Sequence, residues 1–274
     1  MPLPAHAEHH AHRTPPPPAS AAPGGLAVVI PATDEAATIA ETVRAAKAIP
    51  GVDVVVVVDD GSRDDTLRRA GDAGALALRH PHPRGRAAAI QTGAARVARL
   101  DAADHLASPR ALLLVDADLG SGAGNGAALA APVMSGEADM TVAVLAPQEE
   151  AGADGRGLVV GLSRLGIRRA TGWEATQPLS GMRCLTREAF EGARPLAKGW
   201  GAETGLTIDV LLGGYRVTEI ACDLQRRVLP AATQHGAAAQ HRAAQYRDVA
   251  WALVVRRLRR ATPLRVLRVL PHKS

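Results

Sequence analysis

From residue 26 onward the chain alternates between two kinds of stretch. Apolar runs rich in Val, Ile and Leu recur at 26–30, 53–58, 75–79, 110–115 and 138–145, and each reads as a strand. Between them, 35–48, 64–73, 85–99 and 122–135 space their apolar residues at helical intervals. The run Val54 to Val58 has no polar interruption, which marks a strand buried on both faces. This alternation predicts an α/β fold with a mostly parallel sheet and helices on both faces. Further helices are expected at 158–170 and 203–213, and a return strand from Tyr215 to Ala221. Pro31 should end the first strand, because it cannot donate to a ladder. Thr33 or Asp34 is placed to cap the next helix, and Ser62 with Asp65 has capping-box spacing. Gly152 to Gly157 reads as a mobile loop between two halves of the domain, and no internal repeat is visible.

Polar residues gather where these strands end. Asp116-Ala117-Asp118 follows the run Leu112 to Val115, so both carboxylates leave the strand on one face at its C-terminal end. That is where ligands bind in an open parallel sheet. Adjacent carboxylates repel unless a cation or hydrogen-bond donors sit between them, and a hard divalent ion such as Mg2+ or Mn2+ suits oxygen ligands shared with phosphate. Asp59 and Asp60 end the valine strand in the same way. Pro83-Arg84-Gly85-Arg86 opens a helix, where free N–H groups and guanidinium charge make an anion site.

Taken in order, these segments resemble family-2 glycosyltransferases with the GT-A nucleotide-sugar fold. The matching pieces are Val29-Ile30-Pro31-Ala32-Thr33-Asp34-Glu35, Val58-Asp59-Asp60-Gly61-Ser62, Gly85-Arg86-Ala87 and Val115-Asp116-Ala117-Asp118-Leu119. Gln177-Pro178-Leu179-Ser180-Gly181 and Gly199-Trp200-Gly201-Ala202-Glu203-Thr204-Gly205 look most like the branch holding glucosyl-3-phosphoglycerate synthases and polyprenyl-phosphate sugar transferases. The resemblance covers roughly residues 26–227 and implies transfer of a sugar from a UDP- or GDP-sugar to a phosphate-bearing or hydroxyl acceptor, a small molecule or a lipid phosphate. It implies Asp118 as metal ligand, Asp116 on the ribose or the metal, and Pro31, Ala32 and Glu35 along the nucleotide. Asp60 or Asp59 can accept the N–H of a uracil or guanine edge. Arg86 stands where such enzymes usually carry lysine, and its fork can hold a diphosphate. Glu203 is expected at the acceptor, as base or recognition group; its structural alternative is a helix N-terminal carboxylate favoured by the dipole. Ser180 and Gly181 offer backbone N–H groups to an acceptor anion, or make a turn.

One departure stands out. In the phosphoglycerate branch a histidine after the return strand completes the metal site. The comparable stretch here is Asp223-Leu224-Gln225-Arg226-Arg227. Water could take that position, Arg226 could contact the diphosphate, or His235 or His241 could reach in. Two other readings stay open: a sugar-phosphate nucleotidyltransferase, whose glycine-rich Arg-Lys signature is missing after the first strand, and a non-catalytic nucleotide-sugar binder.

Composition narrows the class. With 274 residues, 47% of them hydrophobic and 2% aromatic, the core must rest on Ala, Val, Leu and Ile. Two cysteines, Cys184 and Cys222, allow no disulfide framework and suit a reducing cytosol. No apolar run approaches the ~20 residues that span a bilayer, and no signal-peptide pattern opens the chain. The sequence thus divides into a disordered His- and Pro-rich tail over 1–24, the GT-A domain over 25–230, and a basic C-terminal segment over 231–274. In the last, Trp251, Val254, Val255 and Leu258 recur at helical spacing, with Arg256, Arg257, Arg259 and Arg260 on the other face until Pro263. That helix either lies on an anionic membrane surface or packs against the domain. The expectation is therefore a cytoplasmic protein touching the inner membrane face, with a second copy as homodimer partner. No nucleic-acid motif accompanies the sequence pI of 9.8.

Overall fold

The computed structural model describes residues 22–145, 156–222 and 237–261. The expected tail over 1–24 therefore lies almost entirely outside the described residues. So do most of the 152–157 loop, the stretch carrying Arg226 and His235, and the C-terminal residues from 262 onward, Pro263 among them.

A single seven-stranded sheet organises the chain. Its strands are β1 (Leu26–Ala32), β2 (Val52–Asp59), β3 (Leu76–Arg79), β4 (Ala111–Leu114), β5 (Met140–Leu145), β6 (Arg183–Leu185) and β7 (Val217–Cys222), in the order β3-β2-β1-β4-β6-β5-β7. β1, β2, β3 and β4 pair in parallel, as do β5 and β7; β6 runs antiparallel to both its neighbours. The helices are α1 (Ile39–Lys47), α2 (Thr66–Asp72), α3 (Arg86–Ala103), α4 (Ala127–Met134), α5 (Arg156–Thr171), α6 (Arg187–Gly192), α7 (Gly201–Leu212) and α8 (Ala237–Ala261).

Alternation along the strands builds two cores. Leu26, Val28 and Ile30 of β1 face α1 and α4 with Val55, Val57 and Leu113. Ala27 and Val29 face α3, α6 and α7 with Val56, Val58, Leu112 and Leu114. Gly93 lets α3 settle onto this second face: a Cβ there would sit 2.5 Å from a Val29 methyl carbon. A third, smaller cluster around Ile167, Ala175 and Ile208 joins α5, α7 and α8 away from the sheet.

Several expectations need correction. β1 runs through Pro31 to Ala32. This is tolerated because β4 pairs with β1 only as far as Val29. Val29 presents its carbonyl to β4, and two residues later Pro31 faces the same side, past the last rung. Neither Thr33 nor Asp34 caps α1, which begins after Thr38. Asp34 instead adopts a left-handed backbone, φ 55°, and accepts the Arg63 amide at 2.7 Å. The Ser62–Asp65 capping box does not form, since Ser62 Oγ is spent on Asp59 and on the Asp34 amide. The 122–135 segment divides into a 3-10 turn over Gly120–Gly126 and α4. β6 and α6 were not anticipated. On α8, Val249, Ala252 and Arg256 are buried while Trp251 and Val254 are exposed. The expected faces are thus rotated, because Arg256 reaches inward to Asp209 of α7.

Candidate active site

The C-terminal ends of β1, β2, β3 and β4 open onto one cleft, and hydrogen bonds stitch their loops together. After β1, the Asp34 amide donates to Ser62 Oγ at 2.9 Å and the Glu35 amide to Thr66 Oγ1 at 2.8 Å. Ser62 lies in the loop after β2 and Thr66 opens α2, so the turn after β1 is tied to the next βα unit, while the Glu35 carbonyl also accepts the Ile39 amide at the start of α1 at 2.9 Å.

Asp59 and Asp60 end β2 in opposite circumstances. Asp60 is buried and saturated. Its carboxylate accepts the Arg84 amide at 2.9 Å and the Gly85 amide at 2.7 Å, and lies 2.6 Å from His80 Nδ1. His80 Nε2 lies 2.9 Å from Thr92 Oγ1 of α3. Burial alone would raise the Asp60 pKa, but His80 and the two amides outweigh it and lower the pKa overall. Asp59 is fully buried, with Oδ1 bonded to the Ser62 amide. Its Oδ2 has no hydrogen-bond partner among the described residues; Arg79 Nε stands 3.6 Å away.

Two of the amides expected to bind a ligand anion, those of Arg84 and Gly85, therefore hold the protein's own Asp60. Gly85, at φ 87°, supplies the left-handed turn that aims α3 and its first residue, Arg86, across the cleft. Arg86 Nη2 lies 2.7 Å from Asp116 Oδ1 and donates to the Gly181 carbonyl at 3.1 Å. Its Nε lies 3.2 Å from Glu203 Oε1. One planar guanidinium thus joins the end of β4, the loop before β6 and the first turn of α7. Burial works against the charge of Arg86, but Asp116 and Glu203 more than offset it and raise its pKa. Gly181 is required for this approach, since a Cβ there would meet Arg86 Nη2 at 2.5 Å and Asp116 Oδ1 at 2.8 Å.

Asp116 and Asp118 stand where the sequence predicts, at the end of β4. Asp116 is buried against Arg86. Asp118 is half-buried and makes no hydrogen bond or ion pair among the described residues. Glu35 faces both: burial raises its pKa, Thr38 opposes this, and the charges of Asp118, Asp64 and Asp116 add to the rise. Glu203 is buried in α7, and burial raises its pKa against the pull of Arg86 and Arg183.

Arg183, at the start of β6, is 1% exposed. It donates to the carbonyls of Ser180 and Pro178 at 2.9 and 3.1 Å and to Thr207 Oγ1 at 2.8 Å. Burial pushes its pKa down to about 10, partly countered by Glu203. The Ser180 amide is spent in a turn to the Gln177 carbonyl at 3.1 Å, and Gly181 presents its carbonyl to Arg86. The turn reading of Ser180 is therefore the one realised. Ser180 Oγ is buried with no partner among the described residues.

Neither His80 nor Arg183 was anticipated. A lone histidine before Pro81 and an arginine inside a three-residue strand give no local signal; each acquires meaning only from residues far along the chain.

Asp116 and Glu203 bear on the Arg86 guanidinium and Glu203 also on Arg183, while Asp118, Asp64 and Asp116 bear on Glu35. Among the described residues no three His, Cys, Asp or Glu side chains are grouped so as to chelate an ion by themselves. That donor set fits a divalent ion of the kind bound by one or two carboxylates and completed by substrate phosphates. Arg226 and His235 lie outside the described residues, and the His241 side chain is not described.

Comparison with known proteins bears on this cleft. Residues 27–145 match the model of glycosyl transferase family 2. Glucosyl-3-phosphoglycerate synthase from Mycobacterium tuberculosis, in complex with Mn2+, UDP and glucosyl-3-phosphoglycerate, superposes with a TM-score of 0.63 at 26% identity, covering 85% of this chain and 79% of that one. The same enzyme with Mn2+, UDP-glucose and phosphoglyceric acid gives a TM-score of 0.65 at 25% identity over the same shares. Its complex with Mg2+ and UDP gives 0.63 at 26%, again over those shares. No curated protein matches the chain.

Proposed function

We propose that this chain, whose residues 27–145 match the model of glycosyl transferase family 2 and whose fold is similar to that of the synthase, moves a sugar from a nucleotide-diphosphate donor to a phosphate-bearing or hydroxyl acceptor with the help of Mn2+ or Mg2+. A UDP-sugar is the favoured donor and a GDP-sugar the alternative. The observation that carries this reading is Asp118, whose carboxylate has no hydrogen-bond or ion-pair partner among the described residues and stands two residues from Asp116, both bearing on Glu35. UDP, UDP-glucose and Mn2+ in the similar synthase support the donor and the ion, and its phosphoglycerate supports a phosphate-bearing acceptor.

Asp118, with Asp116, would hold the ion, which as a Lewis acid neutralises charge on the departing diphosphate. Pro31, Ala32 and Glu35 line the nucleotide. Base recognition falls to Asp59 or Asp60. Asp59 Oδ2 has the unspent acceptor, whereas Asp60 holds the loop that delivers Arg86. Arg86 and the donor diphosphate attract each other, so the diphosphate competes with Asp116 and Glu203 for one guanidinium. As Arg86 turns to the donor, the effect of burial on Glu203 is less opposed and its pKa rises further. Glu203 then becomes a better base toward an acceptor hydroxyl. With a phosphate acceptor, already ionised, it positions instead. Ser180 and Gly181 form the acceptor-side wall, and Arg183 supplies positive charge behind them.

The test is turnover of UDP-glucose with Mn2+ against 3-phosphoglycerate and a polyprenyl phosphate. Asp118→Asn should abolish metal-dependent transfer while leaving the fold intact by circular dichroism. Full activity of that variant, or of the wild type in excess chelator, refutes the assignment. No helix among the described residues is long and apolar enough to cross a membrane. We extend the reading to a cytoplasmic homodimer whose α8 touches an anionic membrane surface; light scattering and liposome co-sedimentation test the two extensions separately.

A further inference from the structure

The apolar cluster of α5, α7 and α8 borders a cavity of about 540 Å³, within the range of small-molecule sites. Its walls include Leu162, Gly166 and Ala170 of α5, Ile208 of α7 and Leu253 of α8. Two hydrogen bonds fix these walls. Thr204 Oγ1 meets Ser163 Oγ at 3.0 Å between α7 and α5, and Arg256 Nε meets Asp209 Oδ1 at 2.9 Å between α8 and α7. The opening is formed before any occupant arrives.

Its rim is basic. Arg169 and Arg257 border the cavity along with Arg256, and no acidic side chain among the described residues lines it. Arg256 is committed to Asp209. Arg169 and Arg257 are exposed and form no hydrogen bond or ion pair among the described residues. The apolar surface continues outward from the opening. Leu158, one turn before Leu162, is 74% exposed, and Val254, three residues before Arg257, is 47% exposed.

A hydrocarbon chain suits such walls, and two uncommitted guanidinium groups suit a head carrying close to two negative charges, as a phosphate monoester does. The chain's own segment after Ala261 is a poorer occupant: it carries Arg265, Arg268 and Lys273 and no acidic residue, so the rim repels it. An acidic peptide would meet the arginines but leave the apolar walls unfilled. We propose that the α5–α7–α8 groove binds a single-chain lipid phosphate, with the chain between the helices and the phosphate on Arg169 and Arg257. This site is separate from the cleft. Ile208 lies five residues beyond Glu203 on α7, about 140° around the helix at 3.6 residues per turn. The proposal does not rest on glycosyl transfer.

Dodecyl phosphate below its micelle threshold is the probe, followed by calorimetry on the full chain, with inorganic phosphate and dodecyl maltoside as controls. Saturable one-to-one binding of dodecyl phosphate is expected, with no heat from inorganic phosphate. The neutral detergent should bind at least about tenfold more weakly, the value of one charge-assisted contact. Arg169→Glu with Arg257→Glu should remove that preference, and both side chains are exposed, so the fold should survive. Ala170→Phe should block dodecyl phosphate and detergent alike. UDP-glucose turnover should be unchanged in all these variants, so failure here and failure of the transfer reading are separable. Absence of saturable binding to the wild type, or binding that both sets of variants leave intact, overturns the proposal.

Discussion

Replacing Arg86 by lysine tests whether the guanidinium is a fork or merely a charge. Arg86 uses different nitrogens for different partners: Nη2 for Asp116 and the Gly181 carbonyl, Nε for Glu203. A lysine has one nitrogen and cannot reproduce this planar span. Whichever carboxylate it abandons stays buried, since Asp116 is 7% and Glu203 9% exposed. Stranding a buried charge by removing its partner costs ~3–5 kcal/mol. The side chain of Arg86 is 31% exposed, so water screens part of this, and roughly 1–3 kcal/mol is the fitting expectation. For a chain of this size each kcal/mol lowers Tm by about 2–4 °C. The deficit should depend on pH with a definite sign. An abandoned carboxylate has a folded-state pKa above its unfolded value, as burial already dictates for Glu203. The folded state then binds more protons than the unfolded, and stability falls as pH rises through that interval. Arg86→Lys should therefore melt well below wild type at about pH 8 and closer to it at about pH 5, around the ordinary carboxyl range. Thermal melts at the two pH values, with UDP-glucose turnover measured alongside, check this. Equal melting of variant and wild type at the higher pH, or a deficit that pH does not change, would show that Arg86 holds neither carboxylate in solution.

Two further substitutions probe the supports of the cleft. His80→Ala leaves Asp60 without its imidazole partner and should cost about 1–3 kcal/mol. Because the folded pKa of Asp60 is lowered, its contribution is present above the unfolded value near 3.8 and lost as pH falls through the folded one; the variant should melt lower than wild type at neutral pH and approach it in acid, and parallel melting curves would refute the role. Glu203→Gln keeps an amide oxygen for Arg86 Nε, so donor affinity by calorimetry should stay near wild type while turnover on a hydroxyl acceptor falls ~10²–10⁴-fold. Unchanged turnover would return Glu203 to a structural role, and a matching loss of donor binding would move it to the nucleotide site.

The expectations that succeeded and those that failed divide along a physical line. β1, β2 and β4 were legible because a strand buried on both faces must be apolar at every position, and Val54 to Val58 can satisfy few other environments. Asp116 and Asp118 were legible for the same reason, since carboxylates abutting such a strand emerge at its C-terminal end. β6 was not legible, because its three residues include Arg183, whose burial is sustained by the Ser180 and Pro178 carbonyls and by Thr207 of α7. The helix caps failed on the same ground: Asp34 and Ser62 each had a local role available, yet each found a partner on the other's loop. Arg256 looked like a solvent-facing charge on α8 until Asp209, forty-seven residues earlier, drew it inward. Apolar residues announce their destination by periodicity, because burial is non-directional and any apolar neighbour serves. A buried charge needs a specific partner, and in this fold that partner is supplied by another element. The cleft is assembled from such partnerships: Asp60 holds the loop of Arg86, Arg86 holds Asp116 and Glu203, and Asp118 makes no hydrogen bond or ion pair among the described residues. Sequence order could place the carboxylates at the site; only the tertiary fold decides which of them is spent on the protein and which remains for the ligand.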